Sequence, residues 1–249
     1  MSRKIILALV FLCSYVATSQ IFKDKEKFLE NTDFDQKNFT YGYYLGVNLF
    51  DFKLHPNENG LDDFQKFLVR SEPKMGFHAG LIGRWRLNDY FDFRAEPGIY
   101  FVQRDLTFRN FAVGETRDGY TFVAGDTIRN VKSTYLDIPV FINLHGARWY
   151  NTRPYMQAGV SWMINLQSNE KKTGDNLEEI WRTKTNNFTW QFELGIELYL
   201  KWFKLTPAVK GIFFFNNEVV PDNVGTPNVW ANSLTGMYTR AFVFSLKFE

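Results

Sequence analysis

The sequence has little cysteine, little histidine and little net charge, and each shortage excludes a class of protein. Its single cysteine, Cys13, excludes a disulfide framework and any zinc site built from cysteines. The formal net charge is only +2, so no basic field points to nucleic acid. The three histidines, His55, His78 and His145, stand at spacings that match no metal motif. The sequence therefore predicts no cofactor, no bound metal and no nucleic-acid partner, and it identifies no small-molecule substrate.

The sequence also lacks a hydrophobic run long enough to cross a membrane as a helix. The apolar stretch at 5–16 falls short of the about 20 residues that a spanning helix needs. It follows Arg3 and Lys4 and precedes small residues at 17–19. This order is typical of a secretory signal peptide. We therefore expect residues 1–19 to be removed as the chain is exported.

The sequence is rich in aromatic residues, and its apolar and polar residues alternate with a period of two. It contains 26 Phe, 12 Tyr and 7 Trp. Between Phe188 and Leu200, apolar side chains occupy every second position, as in a strand with one apolar and one polar face. The same alternation predicts eight strands, at 40–54, 75–87, 91–108, 132–144, 153–166, 188–201, 204–215 and 237–248. They are long enough to cross a bilayer, which takes about 9–11 residues, whereas soluble strands average about 5–6.

The connections between the predicted strands alternate between long and short. The long, polar connections lie at 55–74, 109–131, 167–187 and 216–236. Outer-membrane barrels have short periplasmic turns and longer extracellular loops. Residues 20–39 are charged and lack a clear period, so we expect a periplasmic N-terminal tail there. The sequence thus predicts an all-β fold over residues 40–249, an eight-stranded antiparallel transmembrane β-barrel of the outer membrane of a Gram-negative bacterium.

Aromatic residues cluster at the ends of the predicted strands that meet the short turns. Rings with a polar edge settle at the level of the lipid headgroups, so these residues predict a girdle in contact with outer-membrane lipids. The predicted girdle consists of Trp85, Tyr90, Trp149, Tyr150, Trp202, Phe203 and Phe248. The final alternating strand, with Phe248 next to its end, is typical of the signal read by barrel-insertion machinery. The last residue is Glu249 rather than Phe.

A soluble lipocalin-like barrel also has eight strands, but its apolar face points inward. The polar faces of the predicted strands favour the membrane barrel, because their mixed charges and glycines fit a crowded interior. We expect a charge network in the lumen, formed by Arg84, Arg86, Arg94, Glu96, Asp137, Glu193, Glu197 and Lys210. It could serve as a conduction path or ligand site, or as a structural plug. The narrow lumen of eight strands favours the plug.

Catalytic residues are hard to find in this sequence. His78 falls on the polar face of its strand, but a serine hydrolase also needs a serine and an acid, and no Gly-x-Ser-x-Gly elbow is present. We therefore expect no enzymatic activity.

Two of the long loops carry apolar residues that predict a partner-binding surface. These residues, with charged neighbours, are Arg117, Asp118, Tyr120 and Phe122 in one loop and Val219, Val220, Pro221 and Trp230 in the other. The alternative is that the strands continue past the membrane and pair above it.

A resemblance to a known family rests on four segments: FTYGYYLGVN at 39–48, FDFK at 50–53, RWRLNDYFDFR at 84–94 and TYLDIP at 134–139. In these segments the chain resembles the PorT-type outer-membrane barrels of Bacteroidetes, which belong to the type IX secretion and gliding apparatus. The resemblance implies a non-enzymatic accessory component of type IX protein secretion that contacts other secretion-system proteins. The alternatives are a stand-alone barrel for envelope integrity, adhesion or lipid binding, and, less favoured, a lipid-modifying enzyme.

Overall fold

The computed structural model describes residues 30–56, 69–109, 112–117, 120–172, 180–222 and 230–249. The predicted signal peptide lies outside these ranges. The strands are β1 (Phe39–Pro56), β2 (Val69–Pro73), β3 (Met75–Arg86), β4 (Phe91–Ala95), β5 (Gly98–Phe108), β6 (Thr116–Arg117), β7 (Tyr120–Thr121), β8 (Ile128–His145), β9 (Thr152–Asn165), β10 (Asn186–Tyr199), β11 (Lys204–Phe214) and β12 (Leu234–Phe248). Short 3₁₀ helices span Thr32–Gln36, Ala124–Thr127 and Ala231–Ser233. None of the helices in these ranges has the length and apolar character needed to span a membrane.

The long strands close into an antiparallel ring. β1 pairs with β12 on one side and with β3 on the other, which joins the first strand to the last. β4 and β5 form one wall interrupted at Glu96 and Pro97, since both pair with β3 and with β8. β2 continues the line of β3 beyond Lys74 and pairs with β5. The prediction of an eight-stranded antiparallel barrel is confirmed.

The barrel is polar inside and apolar outside. On β10, the outward side chains of Phe188 and Trp190 are exposed, whereas Thr189, Gln191 and Glu193 point inward and are fully buried. This pattern is the reverse of a lipocalin-like barrel, in which the apolar face lines the interior. It is the arrangement that a lipid-surrounded barrel requires.

The height of the apolar band can be measured on β8. Outward apolar residues run from Leu136 to Leu144, and the next outward positions towards the long loops are Thr134 and Lys132. Nine residues span about 27 Å along a strand, or about 20 Å across a membrane at a tilt of about 40°. This height is close to the about 25 Å of outer-membrane barrels.

Several strands extend beyond the predicted boundaries at the long-loop end. β8 begins at Ile128 and β12 at Leu234, each inside a segment predicted to be a loop, and β2 also lies in such a segment. The alternative in which strands continue above the membrane is therefore the one that the fold adopts. Alternation weakens near these ends because the outward residues there face water rather than lipid.

Candidate functional site

Buried carboxylates and amines fill the centre of the barrel. Glu96 at the break between β4 and β5, and Glu193 on β10, both face Lys210 and Lys247 of the two following strands. The Nζ atom of Lys247 lies 2.6 Å from Glu96 and 2.5 Å from Glu193. The Nζ atom of Lys210 lies 3.3 Å and 3.5 Å from the same two carboxylates. Each charge therefore has two opposite charges beside it.

A second group of ion pairs lies nearer the short turns, around the last residue of the chain. The Glu249 side chain is buried, with Oε1 2.6 Å from Nη2 of Arg94 and Oε2 2.8 Å from Nζ of Lys204. Lys204 also lies 2.6 Å from Glu197. The Nε atom of Arg94 lies 3.5 Å from Glu96 and so joins this group to the central one. Glu249 stands where the barrel-insertion signal usually has Phe, and its carboxylate acts as a counter-ion inside the lumen.

A third group completes the chain of charges. The Asp92 carboxylate accepts a hydrogen bond of 2.5 Å from Nε of Arg84 and also contacts Nε2 of His145. The Nδ1 atom of His145 lies 3.4 Å from Glu197, which belongs to the second group. We define the lumen ion-pair cluster as these three groups of Lys, Arg, Asp and Glu side chains: Arg84, Asp92, Arg94, Glu96, Glu193, Glu197, Lys204, Lys210, Lys247 and Glu249.

Most of the predicted lumen network lies in this cluster. The exceptions are Arg86 and Asp137. Arg86 lies on the inward-facing parity of β3, but it pairs with the exposed Asp89 of the turn between β3 and β4 rather than with a member of the cluster. Asp137 is buried in the lumen, but it accepts hydrogen bonds from Ser161 and Gln191 rather than from a base.

Sequence reasoning missed four members of the cluster and His145, which contacts two of them. Asp92, Lys204 and Lys247 stand on the inward-facing parity of their strands. Extending the alternation to the strand ends could have found them. Glu249 follows the last strand on the same inward parity as Lys247, and its backbone exchanges hydrogen bonds with that of Lys204.

The mouth of the barrel at the short turns is closed by the segment before β1. Phe34 is buried and packs edge-on against Tyr199, with the ring centroids 6.5 Å apart. The Nζ atom of Lys204 lies 4.5 Å from the Phe34 ring centroid. Asp35 accepts a hydrogen bond of 2.7 Å from the Tyr199 hydroxyl and lies 3.2 Å from Nη1 of Arg148. The end of the predicted periplasmic tail is therefore a cap, which we define as Phe34 and Asp35.

The opposite end of the barrel is closed by a hydrophobic cluster. Its buried members are Phe52, Leu106, Phe108, Phe122, Val131, Trp181, Trp230, Ala231, Leu234 and Met237, and we call them the extracellular lid. The rings of Phe122 and Trp230 are 5.7 Å apart, and those of Phe108 and Trp181 are 5.6 Å apart. Residues from separate loops and strand extensions thus pack together above the membrane.

The lid corrects the prediction of an exposed partner surface in the loops. Phe122 and Trp230 are buried against each other, and Tyr120 and Val219 are half-buried against the same cluster. Pro221 alone of the apolar residues predicted there is exposed, and Val220 is half-buried. The side chains of Arg117 and Asp118 lie outside the described part of the chain. The loop apolar residues are therefore mostly core, because a closed end needs its own hydrophobic interior.

His78 does have a serine partner, on β12. Its Nε2 atom lies 2.9 Å from Oγ of Ser245, and both residues are buried in the lumen. Within the described ranges, its Nδ1 atom has no hydrogen-bond partner, so the acid of a catalytic triad is missing. The same ranges contain no group of three or more His, Cys, Asp or Glu side chains arranged to hold a metal. The pair therefore lacks both the third catalytic group and access for a substrate.

The predicted girdle residues lie at the short-turn end. Trp85, Tyr90, Trp149, Tyr150 and Trp202 are exposed there. Phe203 packs against Phe248 with the ring centroids 6.1 Å apart, and Phe248 in turn stacks on Tyr43 at 5.1 Å. Their contact with lipid headgroups stays a prediction.

Glu218 is a buried acid outside the membrane-spanning part of the barrel. It lies in the loop after β11, and its Oε2 accepts a 3.1 Å hydrogen bond from the Thr239 hydroxyl. That hydroxyl accepts from Nη1 of Arg104 at 2.9 Å. Burial raises the pKa of Glu218 to about 7, against the opposing charges of Arg104 and Lys184. The protonated form of Glu218 is therefore favoured in the folded state relative to the unfolded chain.

We expect Glu249→Gln to lower the free energy of unfolding by about 3 kcal/mol, because it leaves Arg94 and Lys204 buried with one counter-charge fewer. The exposed carboxylate of Glu72 provides the matched control, Glu72→Gln, which should leave stability unchanged. Urea unfolding of the purified barrel, followed by tryptophan fluorescence, measures both. Equal stability of the two variants would contradict a structural role for the cluster.

We expect Glu218 to make the barrel less stable as the pH rises from about 4.5 to about 7. Over this range the unfolded chain loses the Glu218 proton while the folded chain keeps it, so unfolding releases a proton and is favoured by higher pH. The resulting decrease in the free energy of unfolding is at most about 3 kcal/mol, and it stays constant above about pH 7. Glu218→Gln should flatten this part of the pH profile of urea unfolding. A profile unchanged by the substitution would show that Glu218 ionises normally in the folded state.

Comparison with known proteins agrees with this architecture. A family model described as the outer membrane protein beta-barrel domain matches residues 20–219. No curated protein sequence matches the chain.

Solved barrels with similar structures include Neisserial surface protein A, with 7% identity, a TM-score of 0.40, and coverage of 85% of this chain and 98% of that one. OprG from Pseudomonas aeruginosa has 14% identity, a TM-score of 0.43, and coverage of 84% and 96%. AlkL has 11% identity, a TM-score of 0.42, and coverage of 93% and 96%. These distant likenesses carry no argument about activity. On the family match, the chain is an outer-membrane protein and belongs to the outer membrane protein beta-barrel domain family.

Proposed function

We propose that this protein is a non-enzymatic barrel that acts through its surfaces, as an accessory component of the type IX protein secretion system. One observation carries the surface-acting part of the proposal, namely the closed lumen. The cap, the lumen ion-pair cluster and the extracellular lid follow one another along the barrel axis.

The closed lumen argues against a role as the conduit for secreted proteins. Eight strands leave an interior just wide enough for side chains, and here charged and aromatic side chains occupy it. Opening a path would separate ion pairs that are fully buried, such as Lys247 with Glu193. A buried charge left without its counter-ion destabilises the fold by about 3–5 kcal/mol, and several charges would lose their partners together. An accessory role needs no such opening.

The secretion role itself rests on the resemblance to PorT-type barrels. The segment that carries much of it, 39–48, forms the first half of β1, with Tyr44 buried inside and Tyr43 facing outward. The segment at 84–94 includes Arg84, Asp92 and Arg94 of the lumen ion-pair cluster. The resemblance therefore lies in the wall and the plug, and the proposal assigns contacts with other secretion-system proteins to the two ends of the barrel.

The second candidate is a stand-alone barrel that binds lipid or supports the envelope. It is favoured by a basic cleft at the upper edge of the apolar band, described below. A lipid-modifying enzyme is less favoured, because the His78–Ser245 pair has no described acid.

Deletion of the gene in its host, followed by proteomics of the culture supernatant, tests the secretion role. We expect selective loss of type IX cargo from the medium, with precursors retained in the periplasm, and recovery when the wild-type gene is restored. Complementation with His78→Ala should also restore secretion, because the proposal gives this residue no chemistry. A normal secretome with increased detergent sensitivity would instead favour the stand-alone envelope barrel. A lipid A mass that changes on deletion and is not restored by His78→Ala would favour the enzyme.

A further inference from the structure

The outer surface of β1 and β12 changes abruptly from apolar to charged towards the long loops. Leu49 and Phe242 are opposite each other and are exposed on the outer wall. The next outward pair in the same direction is Asp51 with Arg240, whose side chains form an ion pair of 3.3 Å. Apolar side chains face the hydrocarbon and charged ones face the headgroups. The upper edge of the hydrocarbon layer therefore lies between these two rows.

A cleft opens in the wall directly above that edge. β11 ends at Phe214, whereas β12 continues outward to Leu234, so the two strands pair only as far as Phe213 opposite Arg240. Beyond this point β12 stays paired with β1, and on its other side it is hydrogen-bonded to Asn217 and Glu218 of the loop after β11. The space beside this part of β12 has a volume of about 620 Å³. It is lined by Lys53, His55 and Arg240 on its basic side and by Phe213, Tyr238 and Thr239 on its other walls.

The charges at the cleft are mainly positive. Lys53 is exposed and has no ion pair with any residue in the described ranges. Arg240 is half exposed and is offset by Asp51. The His55 ring meets the Tyr238 ring edge-on at 5.6 Å, which holds the imidazole at the rim. Two cations and a histidine thus face one carboxylate on the outer surface, that of Asp51, while the buried Glu218 lies behind the cleft wall and accepts a hydrogen bond from Thr239.

The wall below the cleft continues as an apolar surface. Phe213 stacks on Trp190 with the ring centroids 4.4 Å apart, and both rings face outward. Leu49 and Phe242 extend this surface towards the middle of the membrane. A molecule seated here would have its head among cations and its chains along apolar side chains.

From this placement we propose that the cleft binds the phosphorylated headgroup of a glycolipid in the outer leaflet of the outer membrane. Lysine and arginine form charge-assisted hydrogen bonds with phosphate oxygens, and a phosphate beside Arg240 would compete with Asp51 for its guanidinium. The acyl chains would lie along Phe242 and Leu49. This inference does not depend on the secretion role, because it concerns the lipid-facing wall and not the two ends.

The barrel offers a matched control at the same height. Lys132 on β8 is exposed on the outer surface, two outward positions above Leu136, where the continuous apolar band on that strand ends. Among the described residues that line its cleft, Lys132 is the only basic one, and this cleft is smaller, at about 290 Å³. A generic attraction between lysines and anionic lipid would act on Lys132 as much as on Lys53.

The experiment uses the full mature chain reconstituted into phosphatidylcholine nanodiscs that contain diphosphorylated lipid A. Native mass spectrometry then counts the lipid A retained per barrel as its proportion is varied. We expect Lys53→Gln to weaken retention by about tenfold, the loss of one charge-assisted contact. Asp51→Asn should strengthen it, because it releases Arg240, and Lys132→Gln should leave it unchanged. Retained gel mobility of unheated samples shows that each variant is folded.

Four outcomes would overturn the proposal. They are equal retention by wild type and Lys53→Gln, an equal loss in Lys132→Gln, weaker retention in Asp51→Asn, and equal retention of lipid A from which the phosphates have been removed. Displacement of lipid A by millimolar inorganic phosphate would show that the cleft is a site for a free anion, which also contradicts a lipid site. These outcomes are independent of the secretome, so this inference and the proposed function can fail separately.

Discussion

The ion pairs buried in the lumen are the constraint on which the rest of the structure depends. A charged side chain in this interior needs an opposite charge beside it, because moving one ion out of water costs several kcal/mol of solvation free energy. The lumen ion-pair cluster draws its members from β3, β4, β10, β11, β12 and the last residue of the chain. A one-residue slip of any of these strands would turn its charges towards lipid. The cluster therefore favours one register for the strands that carry it, while the pairing of β1 with β12 and β3 closes the ring.

The same constraint shapes what the protein can do. Because buried and paired charged side chains occupy the interior of the described barrel, the function proposed for the protein is assigned to its outer wall and its two ends. The ends carry the cap and the extracellular lid, and the wall carries the apolar band and the basic cleft at its upper edge. The protein contacts proposed for the ends and the lipid contact proposed for the wall are thereby separated in space.

Much of the fold could be predicted from the sequence, because successive side chains of a barrel strand point alternately to the lipid and to the polar lumen. The alternation on β10 predicts both the strand and the buried position of Glu193. The alternation does not predict which partner an inward residue takes. Arg86 keeps the inward parity of β3 but pairs with Asp89 at the barrel mouth, and Glu249 continues the inward parity of Lys247 beyond the end of β12.

The two ends of the barrel were the least predictable part. Phe122 and Trp230 are apolar loop residues, and the sequence cannot distinguish an exposed patch from a small core formed by separate loops. Phe34 lies in a charged segment without a period, and its burial depends on the mouth that the closed barrel creates. Both cases require contacts between distant residues, which a local pattern does not contain.

The central claim is that the lumen is closed, and ion conductance across a planar lipid bilayer tests it most directly. The full mature chain, shown to be folded by its gel mobility before heating, should insert without producing stable open-channel currents. Reproducible single-channel steps from the wild-type protein at neutral pH would contradict the claim. They would show that the cap, the lumen ion-pair cluster and the extracellular lid leave a continuous water path.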